Sequence, residues 1–390
     1  MSYKYVSLFS GAGGLDIGLE RAGLNAISLC EIEKSFCASL KENAGWKHVD
    51  GKSYFEGSLI LNCDVRELSV SDLVAKDETV DLVVGGPPCQ AFSSSGKQLS
   101  VLDPRGALVH EFVRVISEIK PKVFLFENVR GLVTARDKEG QPGGVIKDII
   151  NQFEDIGYSV RATLLNSADY GSFQRRVRCF LIGSSAGAAP EIPERTHSKN
   201  NDMLSDQWRT LGEFLGKHAD QNEENFSYPT DKLLEQLKDI PNGSGIKSPG
   251  KPEPTRPSGH WGYRQGTFIA DLDLPARTVT GSASQDWVRW NGHLRRLTFD
   301  EVKMLQGFPA DWRFCGTKTD RYKQVGNAVP AIFGELLGNI IINHLNTFPN
   351  ERAVKLGFPK IFNGYIDYTI RDHARNASAR AISSKFSSTT

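Results

Sequence analysis

A doubly wound α/β domain with a mostly parallel sheet is the fold class this sequence predicts, and three observations carry the expectation. Short apolar runs alternate with helix-like stretches through residues 4–184. Turn residues and polar clusters bound each run. Gly11, Glu31, Asp64, Cys89 and Glu127 all fall at or just after the end of one such run. Ligands of open parallel sheets bind at the carboxyl ends of the strands, so the last observation speaks to function as well as to fold.

The elements follow in order. Residues 5–9 read as a first strand, a glycine turn follows, and 15–21 read as a helix. Further strands are expected at 26–30, 59–62, 80–84, 123–126 and 177–182, with helices at 107–119 and 145–156. Near Gly183 the texture changes. Residues 185–293 are polar and irregular, with clusters such as Pro241-Asn-Gly-Ser-Gly245, and read as a smaller loop-rich domain. Regularity returns at Leu294, with helices at 299–305 and 331–342, so 294–346 is expected to complete the first domain, residues 1–184. Residues 347–390 form a C-terminal extension, whose last ~25 residues are expected to be weakly ordered.

Composition excludes several classes. At 39% hydrophobic and 24% charged residues, the chain is neither disordered nor membrane-embedded in character. No apolar run approaches the roughly 20 residues of a membrane span, and the N-terminus carries no signal-peptide pattern. The six cysteines show no Cys-x-x-Cys pairing and read as reduced intracellular thiols. The histidines have no metal-ligand spacing, and no metal is expected. Net charge is only +1, so a nucleic-acid partner would have to be met by local basic patches. Residues 247–264 and the tail after Glu351 are the two candidates.

Phe9-Ser-Gly-Ala-Gly-Gly14 sits between strand and helix, where glycines let a ligand approach the backbone. The third glycine of a dinucleotide fingerprint is absent, which argues against a nicotinamide oxidoreductase. Glu31 would suit a ribose diol, or else start a helix; Asp64 would suit an adenine amino group, or else cap the next helix. In Gly85-Gly-Pro-Pro-Cys89-Gln90, two prolines stiffen the approach to one cysteine at the ligand edge, where a thiolate could act as nucleophile. The long polar loop from Gln90 to Arg105 reads as a functional lid.

These blocks closely resemble the bacterial DNA cytosine-5 methyltransferase family over about 5–184 and 294–345. Phe9 to Gly14 resembles its cofactor loop, Pro87-Pro-Cys-Gln90 its nucleophile block, and Phe92 to Gly106 its mobile loop. Glu127-Asn-Val129, Gln174-Arg-Arg-Val-Arg178, Arg296-Leu-Thr298 with Leu305-Gln-Gly-Phe-Pro309, and Gln324-Val-Gly-Asn-Ala-Val-Pro330 complete the series in order. The resemblance implies the class I S-adenosylmethionine-dependent methyltransferase fold, with residues 185–293 as target-recognition domain. It implies S-adenosylmethionine as cofactor, S-adenosylhomocysteine as product and double-stranded DNA as partner. Phe9, Gly11, Gly13, Gly14, Glu31, Asp64, Pro87 and Asn327 would form the cofactor pocket. Cys89 would be the nucleophile, with Glu127, Arg176 and Arg178 around the target base and Gln174 a further residue of the catalytic group. Gln90, Ser93, Ser95, Arg105, Arg277 and Thr278 would meet DNA. Two departures stand out: Ile32 follows Glu31 where the family often has an aromatic, and Phe173 precedes Gln174 where proline is common. By analogy the chain is expected to be a monomeric bacterial cytoplasmic enzyme, partner of a restriction endonuclease. A tRNA cytosine methyltransferase and an inactive DNA-binding relative are the rivals.

Overall fold

The computed structural model describes residues 2–88, 107–137, 139–192, 194–199, 205–247, 249–250 and 267–357, together with Ile361, Ile366 and Ile370. Seven strands form the large sheet: β1 (Lys4–Leu8), β2 (Asn25–Glu31), β3 (Leu59–Asn62), β4 (Leu82–Gly85), β5 (Val123–Val129), β6 (Ser159–Asn166) and β7 (Val177–Ser184). Their order is β3-β2-β1-β4-β5-β7-β6. The first five run parallel, while β7 is antiparallel to both its neighbours. The order reverses between β1 and β4, which makes their carboxyl ends the switch point where such sheets bind ligands.

Both faces of the sheet are covered, and the strand sequences show why. In β4 and β5, Leu82, Val84, Val123 and Leu125 point to one side, and Val83, Phe124 and Phe126 to the other; all are buried. A strand apolar at every position needs a layer on each side. The connecting helices are α1 (Gly14–Ala22), α2 (Lys34–Asn43), α3 (Val70–Leu73), α4 (Ala107–Ile119) and α5 (Gly144–Asp155). Phe112, Val115, Ile146, Ile150 and Phe153 of α4 and α5 fill the second side.

The smaller region holds the short pair β8 (His197–Ser198) and β9 (Asp206–Gln207), then α6 (Leu211–His218) and α7 (Asp231–Leu237). A second sheet of four strands follows: β10 (Ser244–Gly245), β11 (Phe268–Ile269), β12 (Trp287–Trp290) and β13 (His293–Arg296). Next come α8 (Phe299–Leu305), α9 (Lys318–Asn327) and α10 (Ala331–Asn346). α10 returns to the large sheet and lies on α1. A Cβ on Gly18 would come within 1.9 Å of the Ala331 carbonyl, and one on Gly334 within 2.0 Å of the Leu15 carbonyl. Only glycine permits this approach. The stretch Lys318–Asn346 is long and apolar enough to cross a membrane, but its own Phe333, Leu337 and Ile341 are buried in the core of the protein.

Three features differ from the sequence expectation. β6 is an edge strand whose Arg161 and Thr163 interrupt its apolar pattern, so its period does not announce it. The hairpin β12–β13 turns on Asn291 (φ 49°) and Gly292 (φ 80°), and therefore straddles the boundary expected at 293. An Asn-Gly pair between short strands is a hairpin signal. The C-terminal extension packs back on the chain: the Val354 amide donates to the Gly187 carbonyl, just after β7, at 2.7 Å, and Ile361 and Ile366 are buried in the core of the large domain. Residues 371–390 lie outside the described residues.

Candidate active site at the carboxyl edge of the large sheet

The cofactor half is built on β1, β2 and β3. β1 ends in a loop whose first residue, Phe9, has φ 56°, a left-handed conformation rare for an aromatic residue. Such strain persists where the surroundings impose it, and it gathers at functional sites. Here the Ser10 amide donates to the Cys30 carbonyl at 3.1 Å, and the Ser10 hydroxyl to the Ser7 carbonyl at 3.2 Å. The Gly11 amide donates to Glu31 Oε2 at 2.8 Å, and a Cβ on Gly11 would meet nothing within 4 Å. Gly13 (φ 83°) turns the chain into α1, and a Cβ there would strike Leu40 at 2.9 Å. Gly14 lies under the Val329 carbonyl, where a Cβ would sit at 2.5 Å. The glycines thus serve two purposes: Gly11 leaves room for a ligand, while Gly13 and Gly14 allow the loop to pack.

Glu31 is buried at the end of β2. Its Oε1 accepts the Glu33 amide at 2.8 Å, while burial raises its pKa against the amide hydrogen bonds from Glu33 and Gly11. Asp64, after β3, caps the 3-10 turn Val65–Glu67 by accepting the Arg66 amide at 3.0 Å. The Arg66 guanidinium also pairs with it and, through that hydrogen bond, lowers its pKa. Both alternatives raised for Asp64 therefore bear on one side chain: it is a cap, and it stands at the ligand edge. Ile32 is 58% exposed beside Glu31. Two features not expected from the sequence lie here. Cys30 and Cys63 bring their sulfurs within 3.3 Å as free thiols. Asp16 is buried beneath the loop, its pKa raised to about 7 by burial despite a hydrogen bond from Ser7.

The chemical half is built on β4, β5 and β7. Glu127, near the end of β5, is buried, and its Oε1 lies 3.0 Å from Arg178 Nε of β7. Its Oε2 would be 2.6 Å from a Cβ on Gly86, so only glycine at 86 admits this carboxylate. Burial raises the Glu127 pKa, opposed by the charges of Arg178 and then Arg176. Next to it, Asn128 Nδ2 donates to the Pro87 carbonyl at 3.1 Å and fixes the segment that leads into Cys89. Asn128 stands inside the Glu127–Val129 block, and its adjacency to Glu127 was the available signal. Cys89, Gln90, Ser93, Ser95 and Arg105 lie outside the described residues, as do Arg256 and Arg264.

Gln174 and Arg176 reach across to the smaller region, and the charge of Arg176 also acts on Glu127. Gln174 is fully buried; its Nε2 donates to Gln306 Oε1 at 2.9 Å, and its Oε1 accepts the Val279 amide at 2.8 Å. Arg176 is 2% exposed; Nη1 donates to the Val279 carbonyl at 2.9 Å and Nη2 to the Gly326 carbonyl at 2.7 Å. Ser167, which no sequence pattern marks, accepts the Arg176 amide at 3.1 Å and donates to the Gln174 carbonyl at 2.6 Å. Asn327 follows Gly326 at the end of α9 and is exposed, and a Cβ on Gly281 would approach its Oδ1 at 3.7 Å. Arg277 is tied to Asp286 at 3.4 Å and stacked over Phe268 at 4.3 Å; the Thr278 hydroxyl donates to the Arg175 carbonyl at 2.7 Å. Phe173 takes up a packing role, against Phe214 and under Arg209.

A doubly wound sheet with a glycine loop after β1 and acids after β2 and β3 defines the class I S-adenosylmethionine-dependent methyltransferase fold. The C-5 cytosine-specific DNA methylase profile matches residues 3–343, and the chain belongs to that family. It is 34% identical over 356 residues to the Type II methyltransferase M1.HphI of Haemophilus parahaemolyticus, covering 89% of this chain and 88% of that protein. It is 32% identical to the Type II methyltransferase M.Eco47II of Escherichia coli, covering 88% and 80%. Among solved structures, a putative DNA modification methyltransferase encoded within an E. coli prophage superposes with a TM-score of 0.64 at 21% identity, covering 88% of this chain and all of that one. Spodoptera frugiperda DNMT2 superposes with a TM-score of 0.60 at 18% identity, covering 87% of this chain and all of that one. These last two speak to the fold alone.

The residues present fit the cofactor that the fold implies. The open face of Gly11, the buried carboxylate of Glu31 and the exposed Ile32 beside it offer a nucleoside space, a diol acceptor and an apolar surface.

Proposed function

We propose that this chain methylates carbon 5 of a cytosine flipped out of double-stranded DNA at one short sequence, as the modification enzyme of a Type II restriction system. One observation carries the reading: the buried Glu127 carboxylate lies against Gly86 and Arg178, at the mouth of the segment that leads to Cys89. Cofactor contacts fall to Phe9, Glu31, Asp64 and Asn327, with Gly11 leaving the space and Pro87 and Gly13–Gly14 shaping its walls. Bound S-adenosylmethionine supplies an electrophilic methyl group.

The protein's own groups do the rest. Carbon 5 of cytosine is a poor nucleophile until a thiolate adds to carbon 6, and Cys89 makes that addition. Glu127, kept protonated to higher pH by burial, donates to ring nitrogen 3 as negative charge builds in the ring. Arg178 holds the Glu127 carboxyl in place and carries positive charge beside the base. After methyl transfer the carbon 5 proton leaves to a base and the Cys89 thiolate is expelled. These atoms are out of reach inside a duplex, so the base turns out of the stack at a cost of a few kcal/mol. Gln90, Ser93, Ser95 and Arg105 meet the DNA. The names of the relatives support a bacterial cytoplasmic setting and a partner endonuclease cutting the same site.

The test is transfer of tritiated methyl from S-adenosylmethionine to unmethylated genomic DNA, with the sites read by bisulfite sequencing. Methylated cytosines in a single short motif are expected. Transfer to tRNA and not to duplex DNA would overturn the reading.

A further inference from the structure

Residues 276–281 cross from β11 to β12 in the smaller region, and they run along residues 173–176 of the large domain like an added strand. The Ala276 amide donates to the Phe173 carbonyl at 2.7 Å, and the Arg175 amide to the Ala276 carbonyl at 2.8 Å. The backbone ladder then stops, and side chains take it over. Both backbone groups of Val279 are held: the amide by Gln174 Oε1 at 2.8 Å, the carbonyl by Arg176 Nη1 at 2.9 Å. The same Arg176 reaches the Gly326 carbonyl, next to Asn327, at 2.7 Å. Gln174 is anchored from behind by Gln306, which in turn donates to the Ala328 carbonyl at 3.2 Å. The seam admits no slack, since a Cβ on Gly326 would come within 2.1 Å of the Gly281 amide nitrogen.

Two alternate side chains of one block therefore grip a single residue of the smaller region, while Arg178 of the same block, two residues on, holds Glu127. Both grips are buried, where a hydrogen bond carries more weight and an unmade one costs more.

We propose that Gln174 and Arg176 are positioning residues that lock the recognition crossover, through Val279, in register with Glu127 and Asn327, so that methyl transfer depends on correct docking of the smaller region on its DNA site. The proposal rests on the reading of this chain as a sequence-specific DNA methyltransferase. It separates Gln174 and Arg176 from the base-contacting group and makes them determinants of specificity.

Arg176→Lys keeps the charge beside Glu127 but cannot span the carbonyls of Val279, Gly326 and Asn327 together. Gln174→Met keeps the volume and drops the side-chain hydrogen bonds to Val279, Gln306 and Leu305. The measurement is kcat/KM on a duplex carrying the mapped motif and on duplexes with one flanking base pair of that motif changed, together with the pH–rate profile. A register shift near 1 Å costs about 100-fold in rate, so cognate kcat/KM is expected to fall by about that factor. The cognate-to-altered ratio is expected to narrow by about tenfold, a fraction of what a well-read base pair contributes. The pH profile of Arg176→Lys should stay unchanged. If Gln174→Met does not fold, Arg176→Lys alone carries the test. Rates that fall equally on all duplexes, with the ratio intact, would mean a purely structural role and overturn the proposal. A displaced pH profile in Arg176→Lys would also overturn it, by placing Arg176 at the base. A wild-type chain that methylates no DNA would remove the underlying reading itself, an outcome distinct from either.

Discussion

The large sheet and the small four-stranded sheet are held together by different means. In the large one, strands such as β4 and β5 are apolar at nearly every position and buried on both faces. In the small one, strands of two to four residues lean on long polar side chains: Arg289 donates to the carbonyls of Ile240 and Leu237 at 2.8 Å, and Arg296 stacks over Trp287 at 4.2 Å. The difference suits the work proposed for each. A site for fixed chemistry needs a rigid scaffold and invariable groups. A surface that reads a particular DNA sequence needs polar side chains whose identity follows the sequence read. Reactive groups therefore sit on strand ends of the first sheet, and the second meets it along a hydrogen-bonded seam.

The comparison breaks most plainly if the chemistry is not concentrated at the large sheet. Cys89→Ala should abolish methyl transfer and leave cofactor binding intact, as read by tritium transfer and by titration calorimetry with S-adenosylhomocysteine. Turnover in that variant would move the nucleophile elsewhere.

Glu127→Gln should lower kcat by about 10² to 10⁴-fold, the usual weight of a positioned acid. Burial raises the Glu127 pKa, so the acid form persists to higher pH and activity should decline as pH rises through that pKa. The amide cannot titrate, and this alkaline limb should vanish from the pH–rate profile of the variant. A limb that survives belongs to another group.

Stability separates the two regions as well. Arg295 and Glu301 form a buried bidentate pair, at 2.8 and 2.7 Å, where β13 passes into α8. Removing one partner leaves the other charge buried, so Arg295→Ala should cost about 3–5 kcal/mol in denaturant unfolding. A loss below 1 kcal/mol would mean that the junction does not depend on the pair.

Beneath the cofactor loop, burial raises Asp16 and Glu20 to about 7. The folded chain therefore holds these protons more tightly than the unfolded one. The associated stability is present below about pH 4 and is lost as pH rises to about 7. Asp16→Asn should match the wild type near pH 4 and melt at a higher temperature at pH 8. Melting curves that keep the same separation at both pH values would contradict this account. The smallest effect is expected at Asp64, where Asp64→Ala removes a cap that contributes about 1 kcal/mol. It should also raise the KM for S-adenosylmethionine, and an unchanged KM would leave Asp64 as a cap alone.

The same division explains what the sequence disclosed. Apolar strands and strand-end groups were legible because burial on two faces and fixed chemistry both restrict residue type: Glu31, Asp64 and Glu127 stand where the alternation pattern puts them. β6 was hidden by its edge position, which tolerates Arg161 and Thr163. The β12–β13 hairpin carried a readable Asn-Gly signal that composition alone obscured. Gln306 and the two-sided grip on Val279 could not be read, because each depends on residues about 100 or more positions apart meeting across the seam. Ser167 bonds locally to Gln174 and Arg176, but no sequence pattern marks it. The family resemblance located Gln174 and Arg176 in the catalytic group, but their buried partners across the seam could not be read from it.

The central claim is that Cys89 adds covalently to a cytosine presented beside Glu127. A duplex carrying 5-fluorocytosine at the mapped position tests it directly, because fluorine at carbon 5 cannot leave as a proton and the adduct is trapped. Incubation with S-adenosylmethionine, denaturation and peptide mass spectrometry should find the nucleotide attached to Cys89 in the wild-type chain, and no adduct in Cys89→Ala. An adduct on another residue, or none from a wild-type chain that methylates the same site, would contradict the account.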